Sequence, residues 1–244
     1  MDLYFQGIAF ANRGTTPEYL TQARSFFDAA LALDPRCIEA LVGSAGLDEA
    51  TVTALLSDDP APHLAMAEAT LNKVLSLAPQ HPLAHLRLGI VLVLTNRAIQ
   101  GIAECERALV LDRNLAHAHA WIGLAKVYFG HAAETEACVE EALRLSPRDA
   151  RSYIWLMILG IARFHLDANE EAVAWLRRGI EANRNHPLVY FWLAAALARL
   201  RAFDEAKRAA RAALALNPSF TIRRARTHLP SDNPDLSCRT RALL

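Results

Sequence analysis

One local pattern returns along this chain at a nearly fixed interval, and it constrains the fold more than any other feature. The pattern is small–x3–large–x2–small–x4–Pro at the end of a helix. It reads Ala23, Phe27, Ala30, Pro35, then Ala67, Leu71, Val74, Pro79. It returns as Gly101, Cys105, Ala108, Arg113 and as Thr135, Val139, Ala142, Pro147. The last two copies are Ala172, Leu176, Gly179, Arg184 and Ala206, Ala210, Ala213, Pro218. The steps Pro79–Arg113, Arg113–Pro147 and Arg184–Pro218 are each 34 residues, Pro147–Arg184 is 37 and Pro35–Pro79 is 44. Self-similarity at such a period is the mark of a stacked array. Each unit is a helical hairpin that cannot bury its apolar face alone, and its neighbours complete the core.

Composition agrees with helices throughout. The chain is 53% hydrophobic, with 10 glycines in 244 residues. Ala and Leu, which recur everywhere, lose little entropy in a helix. Pro82 and Pro187 fall where a first turn has no use for an N–H. Breaks are expected at Thr95-Asn96-Arg97, at Gly130-His131 and near Asp167 to Asn169.

A 34-residue period of paired helices resembles the tetratricopeptide repeat family. Leu88-Gly89 and Ile122-Gly123 sit where that family brings the two helices of a unit close together. The resemblance covers nearly the whole chain in six units, over 4–35, 38–79, 82–113, 116–147, 150–184 and 187–218. It implies an all-α fold: a right-handed superhelical solenoid of about six helical hairpins, a capping helix over 219–226 and a C-terminal tail over 227–244. Extra residues near Thr15–Glu18, Leu56–His63 and Phe164–Leu166 are expected between the two helices of their units, along one edge.

Shorter phrases resemble a narrower group. They are Asp2-Leu3-Tyr4, Asn12-Arg13-Gly14-Thr15, Ser57-Asp58-Asp59-Pro60, Asn217-Pro218-Ser219-Phe220-Thr221 and Pro230-Ser231-Asp232-Asn233-Pro234. Together they are similar to the C-terminal repeat region of bacterial adenylate/guanylate cyclase-type and winged-helix signalling proteins. That implies either a scaffold portion of a longer protein or a free-standing descendant. Leu3-Tyr4-Phe5-Gln6-Gly7 also resembles a viral protease recognition site used in expression tags; the narrower resemblance makes the same residues native.

The family resemblance further implies a concave groove lined by the first helix of each unit. Trp121, Trp155 and Trp192 fall at its sixth first-helix position. Trp121 and Trp155 are 34 residues apart, and Trp155 and Trp192 are 37 apart, with the fifth unit's insertion placed between them. Phe191 and Tyr128 join this stripe, with Arg87, Arg151, Arg199 and His117 around it; the alternative is that the tryptophans wedge between successive first helices. Aromatics and arginine are the side chains that anchor interfaces. The expected partner is a protein or peptide segment with apolar anchors and an acidic group, and an apolar groove also invites a homodimer. The alternative is a regulatory region that contacts other parts of its own chain. The family's clamp for a chaperone's C-terminal carboxylate needs Lys and Asn at two groove positions. Those positions carry apolar residues here, so that partner is not expected.

Other functions find little support. Lys+Arg and Asp+Glu each number 26, so no bulk charge calls for nucleic acid or an anionic membrane. The four cysteines form no CxxC pair, and no signal peptide precedes them, so a reducing cytoplasm is expected. His117 and His119 are two apart on a helix and cannot share a metal. No phosphate-binding, nucleophile-elbow or zinc-protease motif occurs. The expectation is a protein that is no enzyme and needs no cofactor or metal.

Overall fold

A computed structural model describes residues 2–221 and 224. Among them the chain is helical throughout, with no strand. In order the helices are α1 (Asp2–Ala11), α2 (Pro17–Leu33), α3 (Ile38–Thr53), α4 (Ala61–Leu77), α5 (Pro82–Leu94) and α6 (Ala98–Leu111). They continue with α7 (Ala116–Phe129), α8 (Thr135–Leu145), α9 (Ser152–His165), α10 (Asn169–Ala182), α11 (Pro187–Arg199) and α12 (Phe203–Leu216). A short 3-10 turn, Ala132–Glu134, leads into α8. Each odd-numbered helix packs on the even-numbered one that follows it, and each pair packs on the next. The whole is an α-solenoid.

The odd-numbered helices from α3 onward stop in the same way. The residue that turns the chain has a positive φ: Leu55, Asn96, Gly130, Asp167 or Arg201. The following N–H then reaches back five residues, as Leu56 to Thr51, Arg97 to Leu92, His131 to Lys126, Ala168 to Arg163 and Ala202 to Leu197. This is the Schellman closure, which satisfies carbonyls left over at a helix end. It fixes a short turn, so the next helix must fold back antiparallel.

The recurring sequence pattern is the inner seam of the stack. Phe27, Leu71, Cys105, Val139 and Leu176 are fully buried, as are Ala23, Ala67, Ala172, Val74, Ala108, Ala142 and Ala213. Gly89 and Gly101 make the α5–α6 contact close. A Cβ on Gly89 would lie 2.8 Å from the Gly101 carbonyl oxygen and 2.6 Å from Cys105 Sγ. At the start of the chain, Tyr4 packs on Phe27 at 6.1 Å between ring centroids, and Gly7 is buried against the same ring. Helix α1 is therefore part of the core.

Curvature follows from which helices touch. Neighbouring odd-numbered helices contact one another along the whole row, α1 to α3 through α9 to α11, whereas the even-numbered helices do so much less. A row whose members are closer together is the inside of an arc. The inner face is thus built from α1, α3, α5, α7, α9 and α11.

The extra residues partly fall elsewhere than expected. The long insertion is absorbed into α3 and α4, of 16 and 17 residues, as well as the loop between them. The fifth pair's extra residues lie ahead of α9, where the connection 146–151 has six residues against four in 112–115. The turn after α9 is as short as the others. Of the expected capping helix over 219–226, Ser219 to Thr221 are not helical and Arg224 is, while residues 222, 223, 225 and 226 lie outside the described residues, as does the tail over 227–244.

Candidate functional site on the inner face

The middle of the inner face is polar at its floor. Arg87, the sixth residue of α5, lays its guanidinium against α3 and donates from Nη1 to Glu49 Oε2 at 3.0 Å. It can lie there because α3 has a glycine beneath it: a Cβ on Gly46 would stand 2.2 Å from Arg87 Nη1. Arg87 Nε is buried and meets no acceptor. Glu49 is itself buried, which pushes its carboxyl above the usual range against the pull of Arg87 and Arg151. Arg151 stands at the start of α9 without a capping side-chain bond; it is half-exposed, with Nε 3.5 Å from Asp149 Oδ1.

Next along the face, the His117 ring of α7 lies between two indoles. Trp121 Nε1 is 3.0 Å from His117 Nε2, and Trp155 Nε1 of α9 is 3.2 Å from His117 Nδ1. Burial, and then the charges of Arg151 and Arg87, hold His117 well below the ordinary histidine range, so its ring is neutral. A neutral imidazole has one acceptor nitrogen and one N–H. It can accept from one indole only; the other indole faces a donor.

The remaining expected residues form a separate neighbourhood toward the end of the stack. Trp192 packs edge-on against Phe164 at 5.4 Å, and its Nε1 is buried without an acceptor. Arg199 donates to the Phe164 carbonyl at 3.1 Å and to Asp167 Oδ1 at 2.6 Å, tying α11 to the turn after α9. Phe191 is covered by Phe220, stacked at 3.4 Å between centroids. Tyr128 is buried in α7, and burial raises its hydroxyl pKa.

The three expected tryptophans are all buried but differ in position. Trp121 and Trp192 are each 4% exposed and Trp155 is 0% exposed. Trp121 lies two residues before Gly123, but Trp155 lies five before Gly160, the matching glycine of α9. Because the extra residues precede α9, the residue of α9 in phase with Trp121 and Trp192 is Ile158. Trp155 instead aligns with Ala84, Ala118 and Val189, all fully buried. It enters the face one turn earlier, which is how a second indole reaches His117.

Glu49 and Gly46 were not among the expected residues. Their only sequence signals are an acidic residue in an apolar helix and a glycine that makes no turn. Nearby, Asp48 is buried and accepts from Arg24 at 2.8 Å and pairs with His63 Nδ1 at 3.2 Å, binding α2, α3 and α4 together. Among the described residues no group of three or more His, Cys, Asp or Glu could hold a metal ion, and no helix is long and apolar enough to cross a membrane.

Comparison with known proteins places this geometry in a wider set. Residues 187–220 match the profile described as "Tetratricopeptide repeat". The solved structure of TTC0263, a thermophilic protein of this type from Thermus thermophilus, is similar with a TM-score of 0.63 and 17% identity, covering 81% of this chain and 98% of that one. A chain of the APC/C hetero-tetramer Cut9–Hcn1 gives 0.65 at 16% identity over 90% of this chain and 39% of its own. IFIT1, solved with m7Gppp-AAAA, gives 0.70 at 15% identity over 84% of this chain and 48% of its own. A search of curated protein sequences finds no match.

Proposed function

Given that the chain is a tetratricopeptide-repeat protein, we propose that it is a protein-interaction scaffold whose inner face takes up a segment of another protein. Proteins of this type generally mediate such contacts. The observation that supports the reading here is the run of Arg87, His117 and Trp121 on adjoining inner helices, with the buried Arg87 Nε left without an acceptor. Rigid aromatic and guanidinium groups at the centre of a face are what anchors an interface. The segment is extended or helical and combines apolar anchors with an acidic group. On this reading no catalytic group takes part, the work is done in the cytoplasm, and the domain limits are those of the six expected units.

The experiment is selection of binding peptides from a random library on the full chain, followed by hydrogen exchange with the selected peptide bound. Protection is expected in α5, α7, α9 and α11. Protection confined to α6, α8, α10 and α12 sinks the reading.

A second reading, an intramolecular regulatory module, draws on a different observation. The chain after α12 turns back, with Phe220 on Phe191 and Arg224 donating to the Leu55 carbonyl at 3.1 Å. An inner face already touched by its own chain suits a scaffold that is held closed until a partner arrives.

A further inference from the structure

We propose that Arg87, with the indole N–H groups of Trp121 and Trp155 around His117, forms a receptor for one carboxylate, supplied by an Asp or Glu side chain of the bound segment. This rests on the inner face being the binding face, and it adds the chemistry that the face recognises.

Three independent features converge on it. The first is a donor surplus. Arg87 Nε is buried without an acceptor, and His117 can accept from only one of the two indoles that point at it. Buried donors without acceptors are costly, so a face that keeps two of them is incomplete until an acceptor-only group enters. A carboxylate has no donors and up to four acceptor sites; a hydroxyl or amide would bring a further N–H or O–H into a place already rich in them.

The second feature is charge. Arg87 and Arg151 carry two positive charges into this region, against the Glu49 carboxyl beside Arg87 and the Asp149 carboxylate 3.5 Å from Arg151 Nε. Their effects on His117 and Glu49 show that both guanidinium groups are felt at the floor of the face. Burial pushes the Glu49 carboxyl toward its neutral form, and the small positive excess that results suits a single carboxylate. It falls short of the run of charges that a nucleic-acid backbone requires, where many phosphates are neutralised together.

The third feature is that the position of Arg87 is built. The guanidinium lies where any residue larger than glycine at position 46 would put its Cβ, 2.3 Å from Arg87 Cζ. The second guanidinium edge is held by Glu49, so the Nε edge is oriented with one contact already fixed. Pre-oriented planar donors are the arrangement that favours a carboxylate over a spherical anion.

The test uses the full chain with 15N-labelled indoles and two small probes, N-acetyl-glutamate methylamide and its glutamine counterpart. The glutamate probe is expected to shift the Trp121 and Trp155 indole N–H resonances saturably. The glutamine probe is expected to bind about tenfold more weakly or not at all. In Glu49→Gln/Arg87→Met, which removes both charges of the buried pair together, the shift is expected to vanish. In Gly46→Ala, which keeps the arginine but displaces its head, it is expected to weaken. Thermal melts of both variants confirm that they are folded. Equal shifts from both probes, a shift that survives loss of Arg87, or no shift at all overturns the proposal. So does saturable binding of a short oligoadenylate at these indoles in preference to the glutamate probe. These outcomes are separate from the exchange experiment above: selected peptides that protect the inner face without needing an acidic residue leave the scaffold reading standing and remove only this one.

Discussion

At the residue scale, the turns that end the inner helices reveal where the chain carries strain. Gly130 and Asn96 suit a positive φ, but Leu55 at 57° and Arg201 at 59° do not. A side chain in that region costs about 1–2 kcal/mol, part of which glycine regains at the expense of unfolded-state entropy. Arg201→Gly is expected to stabilise the chain by about 1 kcal/mol, read as a higher urea midpoint at unchanged slope. The buried histidines make a different forecast. Burial pushes His165 and His186 down to about 4, and His117 lies well below its usual value. In the unfolded chain they titrate near 6.5, so there the unfolded state binds more protons. Their contribution is intact above that pH, is lost as pH falls through it, and levels off near 4 for His165 and His186. Each removes about 1 kcal/mol per pH unit within that window. His186→Gln is expected to flatten the fall in stability between pH 6.5 and 4; an unchanged slope refutes the assignment. At this scale the sequence hid much of the site. Gly46 and Glu49 matter only because the stack sets α3 beside Arg87 of α5, a relation between side chains 38 residues apart. No local pattern encodes it.

At the scale of elements, most of the fold was legible. Apolar residues recurring at helical spacing dictated a buried seam, and that seam is where the pattern residues lie, from Phe27 to Ala213. Phe27 shows how much one such residue holds. Its ring fills the space above Gly7 of α1 and Gly43 of α3, each of which would clash with it if given a Cβ. Phe27→Ala is expected to cost about 3–5 kcal/mol in chemical denaturation, with α1 the first element to lose exchange protection. The placement of the extra residues was less legible. A count of 37 between Pro147 and Arg184 gives their number but not their side of the helix, because a loop before α9 and a loop after it change the period equally. Trp155 therefore took on the phase of Trp121 by a coincidence of 34 residues. The glycine of the close helix crossing, Gly160, is the better ruler, because its place is fixed by contact with Leu176.

At the scale of the whole molecule, the described contacts are mostly between neighbours, as a solenoid requires. Arg87 to Glu49 and Trp155 to His117 each span 38 residues. Arg224 is different: it bonds Asp58 and the Leu55 carbonyl across 166 and 169 residues. Arg224→Ala is expected to enlarge the radius of gyration measured by X-ray scattering and to speed exchange in both α12 and the 54–60 turn. Identical scattering curves for the two proteins would show that the contact does not hold the chain after α12 to the α3–α4 turn.

That contact also alters the kind of object the chain is. A strip of stacked hairpins yields freely at its tips, like a spring held at neither end. Joined through Arg224, the stretch from the α3–α4 turn to the end of α12 is fastened back on itself, and such a stretch resists uncoiling more than an open strip does. A segment taken up by the inner face would then enter a frame whose bend is already set, rather than one it must bend for itself.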